Sequence, residues 1–161
     1  MQPTITSLTE QGLTLKFLKK YPNHFFLVSF FSPSGYEIRK NHPVADYVCY
    51  LPMDSPKNAK EFIELVNPKI ALFIKYEFWF NYLSIAKEKN IPTILASALF
   101  RKGQIFFKFY GGFYRKILNL FSAILVQDKA SEDLIKPIIS ASKIFITGDT
   151  RFDRVITTAS T

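Results

Sequence analysis

Cysteine occurs once and histidine twice in the 161 residues of this chain. Cys49 therefore cannot close an internal disulfide, and its apolar neighbours in sequence read as a buried structural thiol in a reducing compartment. His24 and His42 stand at no metal-ligand spacing from it, which leaves metal chemistry without a ligand set. Glycine numbers only 6, and none of these builds a GxGxxG or Walker loop, so the dinucleotide reading is poor as well. No apolar run reaches the length of a transmembrane helix, and the opening residues MQPTITSLTEQG lack the charged and apolar regions of a signal peptide. A soluble chain is expected. The most local absence is of acid: no Asp or Glu occurs between residues 89 and 127.

What is present is apolar, aromatic and basic. With 48% hydrophobic residues, 16% aromatics and 17 Phe, the chain is suited to a packed core, and part of that Phe is expected to face a partner. The length fits one domain. Formal net charge is +8, and the acid-free interval holds six of the cations, Lys89, Arg101, Lys102, Lys108, Arg115 and Lys116. That local excess points to an anionic partner: phosphates, acidic sugars, lipid headgroups or nucleic acid. Nucleic acid ranks last, because no recognised RNA or DNA motif accompanies the charge.

Apolar runs of strand length alternate with helical patterns. Strands are predicted over residues 25–31 and 46–51, from Ile70, and over 92–97, 123–126 and 143–147. Helices are predicted over residues 8–20, 36–41, 56–66, 78–89, 104–121 and 131–138, with Ser55 and Pro56 as N-cap and first helical residue of the third. The residues before Leu8 read as too short and polar for a good strand. In the long helix the pattern puts Phe106, Phe109, Phe113, Ile117 and Phe121 on one packed face, with Lys108, Arg115 and Lys116 away from it and Gly111 and Gly112 as a bend. The alternation predicts an α/β fold: a Rossmann-like parallel sheet flanked by helices, joined by right-handed crossovers.

Three features carry candidate chemistry. IALFIKYEFWFN, residues 70–81, begins as a buried strand and turns polar at Lys75; a carboxylate just past the carboxyl end of a parallel strand lies where such sheets bind ligands, which singles out Glu77. The alternative is that Glu77 merely opens the next helix, favoured by its dipole. The loop Ser32, Pro33, Ser34, Gly35 sits between strand and helix and could hold an anion, with Arg39 near, or be a plain turn and cap. FFKFYGGFYRK, residues 106–116, mixes cations with aromatics as interfacial helices do, or packs on the sheet with a solvated basic edge.

The phrases FFSPSGYEIRKN, YLPMDSP, KYEFWFNYL, ASALFRKGQIFFKFYGGFYRKIL, VQDKAS and GDTRFDRV, in this order and spacing, closely resemble the N-terminal domain of 3-deoxy-D-manno-octulosonic acid (Kdo) transferases. The resemblance covers residues 25–155. It implies the N-terminal half of a GT-B glycosyltransferase that moves Kdo from CMP-Kdo to lipid A precursor with inversion, without metal or other cofactor, in lipopolysaccharide core synthesis. By this resemblance residues 1–155 form the acceptor-binding domain and 156–161 start a linker or tail. The C-terminal half that holds most of the CMP-Kdo site, and the family's N-terminal anchor, are expected to lie outside the chain. The half-enzyme is then expected to lack turnover alone. It would act peripherally at the cytoplasmic face of the inner membrane, with lipid A precursor and an anionic membrane surface as partners and no nucleic acid.

For site residues, the resemblance implies Glu77 of the Tyr-Glu-Phe-Trp type motif and Glu10 as catalytic carboxylates. Ser7, Leu8, Thr9, Glu10 is the nearest match to the family's Ser-Leu-Gly-Glu type motif and lacks its glycine. Ser32, Ser34, Gly35 and Arg39, with Lys75 beside Glu77, are implied on the acceptor side. Lys102, Phe106, Phe107, Lys108, Arg115 and Lys116 are implied at the membrane surface. A reading of another class remains beside this one: a stand-alone binding module for anionic lipid or phosphosaccharide.

Overall fold

A computed structural model describes residues 3–6, 24–41 and 45–148. The strands β1 (Pro3–Thr6), β2 (Phe25–Phe30), β3 (Tyr47–Tyr50), β4 (Ala71–Ile74), β5 (Thr93–Ala98), β6 (Ala123–Val126) and β7 (Ile144–Ile146) form one sheet in the order β3-β2-β1-β4-β5-β6-β7. Every pairing in it is parallel. Strands that must be crossed over by intervening segments read as continuous apolar runs, and β4 with all four residues buried is the plainest case.

The helices among the described residues are α1 (Pro33–Arg39), α2 (Pro56–Val66), α3 (Phe80–Glu88), α4 (Gly112–Leu120) and α5 (Lys129–Ile135). Local chemistry sets their ends. Ser55 caps α2 by accepting from the Asn58 backbone N–H at 3.2 Å, Pro56 follows at the first position, and Asn67 stops the helix in the left-handed region at φ 43°. Asp128 caps α5 in the same way, accepting from the Ser131 N–H at 2.7 Å. The helix predicted over 131–138 therefore begins earlier, because its cap is the aspartate before it.

Two expectations are corrected. The opening residues, read as too polar for a strand, form β1, which lies inside the sheet with β2 on one side and β4 on the other. A four-residue strand held on both edges gains its pairing from its neighbours and needs little propensity of its own. The long helix predicted over 104–121 is broken: a 3-10 turn covers Ile105–Phe107, and α4 starts only at Gly112. The break is packed shut at Gly111, where an added Cβ would lie 2.0 Å from the Ile105 carbonyl oxygen. The helix predicted over residues 8–20 lies outside the described residues.

Most of the core is one cluster, in which Phe62, Phe73, Leu83, Leu95, Phe106 and Phe121 are buried together. A smaller cluster centred on Val28 and Phe30 packs against Tyr36, Ala45 and Val48. Because all strands run the same way, the loops after β2, β3, β4, β5 and β6 all emerge at one edge of the sheet.

Candidate active site

The strand order reverses between β1 and β4: the chain steps outward through β2 and β3, then returns to the other side of β1. Such a switch point opens a crevice at the carboxyl ends of the strands. Residues 75–79, directly after β4, sit over it. Lys75 ends the strand in the left-handed region at φ 61°, its N–H donating to the Ala96 carbonyl at 2.9 Å. Beside it Ser97 in β5 is also left-handed, at φ 57°, and is held by Gln127, whose side-chain amide donates to the Ser97 carbonyl at 3.0 Å and to its Oγ at 3.1 Å. Backbone of this kind on non-glycine residues costs on the order of 1–3 kcal/mol each and collects where structure serves function.

Glu77 does not open α3, whose N-cap is Trp79. The donors at that helix start are satisfied from another loop: the Asp54 carboxylate, after β3, accepts from the backbone N–H groups of Asn81 at 3.1 Å and Tyr82 at 3.3 Å. Asn81 in turn donates through its side chain to the Asp54 carbonyl at 3.0 Å, and the Tyr82 hydroxyl donates to the Pro52 carbonyl at 2.9 Å. Asp54 thus frees Glu77 from capping duty. The Glu77 carboxylate instead accepts from the Trp79 indole N–H. Burial pushes the Glu77 carboxyl above the usual glutamate range, and the Trp79 bond opposes this only in part. Trp79 also touches Phe31, from the end of β2, with ring centroids 4.8 Å apart. As β1 separates β2 from β4, that contact bridges the carboxyl end of β1 and walls the crevice beside Glu77.

The other predicted residues fall into distinct places. Ser32 is the N-cap residue of α1 but makes no capping bond; its hydroxyl and that of Ser34 share a hydrogen bond at 2.7 Å. Gly35 lies inside α1, and a Cβ there would come within 3.0 Å of the Phe30 ring, so this glycine allows helix and strand to touch. Arg39 has one guanidinium nitrogen buried without a hydrogen-bond partner. Glu10 lies outside the described residues. Among the described residues no group of three or more His, Cys, Asp or Glu is arranged to hold a metal ion.

The basic aromatic segment is divided by its geometry. Phe106, 4% exposed, is core, ringed by Phe78, Phe100, Phe107 and Tyr114. Phe107 is half-buried, and the Arg115 guanidinium turns inward to donate to the Phe106 and Lys108 carbonyls at 3.1 and 2.9 Å. Phe106, Phe107 and Arg115 therefore build the turn; Phe106 is packed, as the helical pattern had it, and not at the surface that the resemblance implied. Lys102, Lys108 and Lys116 are exposed as read. Phe109 and Phe113, assigned to the packed face of a continuous helix, stand 95% and 51% exposed, because the break at Gly111 rotates them off that face.

Sequence comparison decides the family. The profile described as 3-deoxy-D-manno-octulosonic-acid transferase (kdotransferase) matches residues 7–154. The chain belongs to that family. Among curated relatives, a 3-deoxy-D-manno-octulosonic acid transferase of Aquifex aeolicus is 29% identical over 140 residues, 86% of this chain and 35% of the relative. One of Haemophilus influenzae is 30% identical over 79 residues, 48% of this chain and 18% of the relative. The chain thus spans about a third of the length of the Aquifex relative.

Solved UDP-GlcNAc 2-epimerases share the fold of this chain. The Neisseria meningitidis structure, bound to UDP-GlcNAc, superposes with TM-score 0.65 at 15% identity over 99% of this chain and 49% of its own. The Rickettsia bellii structure gives 0.67 at 16% identity over 98% and 48%. The likeness places the parallel α/β sheet among GT-B folds. Sequence reasoning reached Glu77 and missed Trp79, Phe31, Asp54 and Ser97 around it. All four lay in phrases already singled out, but only the fold shows which atoms they face.

Proposed function

We propose that the chain is the acceptor-binding half of an inverting glycosyltransferase that moves Kdo from CMP-Kdo to lipid A precursor in lipopolysaccharide core synthesis. It works peripherally at the cytoplasmic face of the inner membrane, and a C-terminal half supplies most of the CMP-Kdo site. In the transfer, an acceptor hydroxyl oxygen bonds to the anomeric carbon of Kdo, the bond from that carbon to the CMP phosphate oxygen breaks, and the hydroxyl proton passes to a carboxylate. CMP leaves with the bonding electron pair. Membership of the family supports a glycosyltransferase role. The single observation that carries the site is Glu77: a carboxyl at the switch point, tied to Trp79 and held by burial above its ordinary pKa, which makes it a better proton acceptor near neutral pH. Glu10 is the second carboxylate of the proposal, and Lys75, Ser32, Ser34, Gly35 and Arg39 form its acceptor side.

The test is Glu77→Gln in the full-length enzyme, assayed with CMP-Kdo and lipid A precursor. A general base contributes roughly 10²–10⁴-fold to rate, so kcat falls by at least about a hundredfold with little change in KM for the donor. Turnover equal to the parent removes Glu77 from the catalytic set. The isolated chain gives no transfer under the same conditions; transfer by it overturns the half-enzyme reading.

A further inference from the structure

We propose that Gln127 is a positioning residue: through a bulge in β5 it sets the turn that presents Glu77 to the crevice. The inference deepens the proposed function and rests on the role given there to Glu77.

The strand β5 carries one residue more than its neighbour matches. Leu95 pairs with Ile124 and Ala98 with Val126, so three steps along β5 answer two along β6. A bulge of this kind takes one residue off the ladder, sharpens the local twist and re-aims the end of the strand. Ser97 stands in the extra step, left-handed at φ 57° and 1% exposed. A serine in that conformation is strained, because its Cβ crowds the backbone, and a buried carbonyl displaced from the ladder needs a donor from elsewhere. Gln127, the first residue after β6, answers both needs. Its side-chain amide donates to the Ser97 carbonyl at 3.0 Å and to the Ser97 Oγ at 3.1 Å, while its backbone N–H donates to the Ala98 carbonyl at 2.9 Å. Since a carbonyl only accepts, the first contact fixes which end of the amide faces the bulge. With its nitrogen engaged at Ser97, the amide is placed to hold the bulge rather than to touch substrate.

The bulge reaches Glu77 through the backbone. Rotation about φ of Ser97 turns the peptide before it, whose carbonyl is that of Ala96. That carbonyl accepts from the Lys75 N–H at 2.9 Å. Lys75 is itself left-handed, at φ 61°, and Glu77 follows two residues later. A continuous path therefore runs from Gln127 through Ser97, Ala96 and Lys75 to Glu77. Relaxation of Ser97 into the strand region would swing the Ala96 carbonyl away from Lys75. The chain on the far side of the bulge is pinned and does not absorb the change: the Phe100 N–H donates to the Ser131 Oγ at 2.9 Å, and the Phe100 ring packs on Phe106, which packs on Phe78. The displacement is left to the Lys75 side, where Glu77 sits.

The test reads turnover in the full-length enzyme and a titration in this chain. Trp79 is the one tryptophan here and donates to the Glu77 carboxylate, so its emission follows the Glu77 proton. Lys75 and Asp54, the charged groups of the adjoining turns, are kept in every variant. In Gln127→Ala, kcat falls by roughly ten- to a hundredfold, as a small misplacement of a reacting group costs, with KM for CMP-Kdo near the parent's. The emission midpoint lies above the ordinary glutamate value in the parent, moves toward that value by at least about half a pH unit in Gln127→Ala, and vanishes in Glu77→Gln. Gln127→Met keeps the length of the side chain, loses its donors and gives the same losses, so they do not stem from a cavity; melting curves confirm that each variant folds. Adding Ser97→Gly to Gln127→Ala recovers most of the rate, because glycine holds the left-handed conformation without help. Parental kcat and midpoint in both Gln127 variants overturn the proposal. Loss that Ser97→Gly does not recover assigns Gln127 to substrate contact and overturns positioning. So does an undiminished loss when Gln127→Ala is added to Glu77→Gln, since a residue acting through Glu77 has nothing left to position there. Parental turnover in Glu77→Gln overturns the reading of Glu77 and the catalytic weight of Gln127 with it; that failure is distinct from failure of the positioning, which the titration reads without turnover.

Discussion

Glu77 is a charge that folding disfavours. Burial raises its pKa, the Trp79 N–H lowers it, and burial wins. The folded chain then binds the proton more tightly than the unfolded chain does. Stability is full below the ordinary glutamate value near 4.5 and falls as pH rises through the higher folded value. Glu77→Gln keeps an oxygen that accepts from Trp79 and removes the titration. The variant is therefore expected to melt higher than the parent near neutral pH, with the gap closing as pH drops toward about 4. A gap that grows on acidification would mean that the folded carboxyl is stabilised in its charged form. At this scale the sequence showed the right carboxylate because strand-end position is a property of the chain. It did not show Trp79 as its donor, because that bond depends on how the loop after β4 turns, or Asp54 as the cap that releases it, because that pairing crosses between loops. Phe106 and Phe109 were indistinguishable in sequence for the same kind of reason: a helical period assigned both to one face, and a local break sent one inward and the other out.

That break is the least legible element, and two adjacent glycines test why it exists. At Gly111 a Cβ would meet the Ile105 carbonyl oxygen at 2.0 Å and the Lys108 carbonyl oxygen at 3.1 Å, both backbone atoms that cannot rotate away. At Gly112, the first residue of α4, a Cβ would meet only the end of the Arg115 side chain at 3.8 Å. Gly111→Ala is thus expected to cost roughly 1–3 kcal/mol as an overpacking change. Gly112→Ala is expected to be neutral or to stabilise by up to about 1 kcal/mol through the unfolded chain. Urea denaturation of the two variants measures both, and equal effects would show that the turn is not held at Gly111. Elements with a chemical signal at each end were read correctly, α2 with Ser55, Pro56 and Asn67 being the clearest. The segment over 104–121 had only periodicity, and periodicity cannot register a steric contact between Gly111 and a carbonyl six residues earlier.

Across the whole molecule, the sheet turns on the strand that sequence propensity dismissed. β1 pairs with β2 and with β4, so without it the remaining strands divide into β3-β2 and β4-β5-β6-β7. Its place was invisible in MQPTIT because centrality comes from order in space, and the crevice at Glu77 exists only because β1 stands at the reversal. Proline substitution separates the centre of the sheet from its edge. Ile5 faces Leu27 on one side and Ala71 on the other, so its N–H has a strand beside it whichever way it points. Ile146 lies in β7, which pairs only with β6 among the described strands; the Thr147 N–H donates to the Val126 carbonyl, so by alternation the Ile146 N–H points to the open edge. Ile5→Pro is expected to cost about 3 kcal/mol or more and to blunt the cooperative transition, while Ile146→Pro removes no ladder bond and costs less than half as much. Thermal and urea unfolding followed by circular dichroism compares them. Equal losses would mean that β1 is dispensable to the sheet, and with it the switch point on which the proposed acceptor site depends.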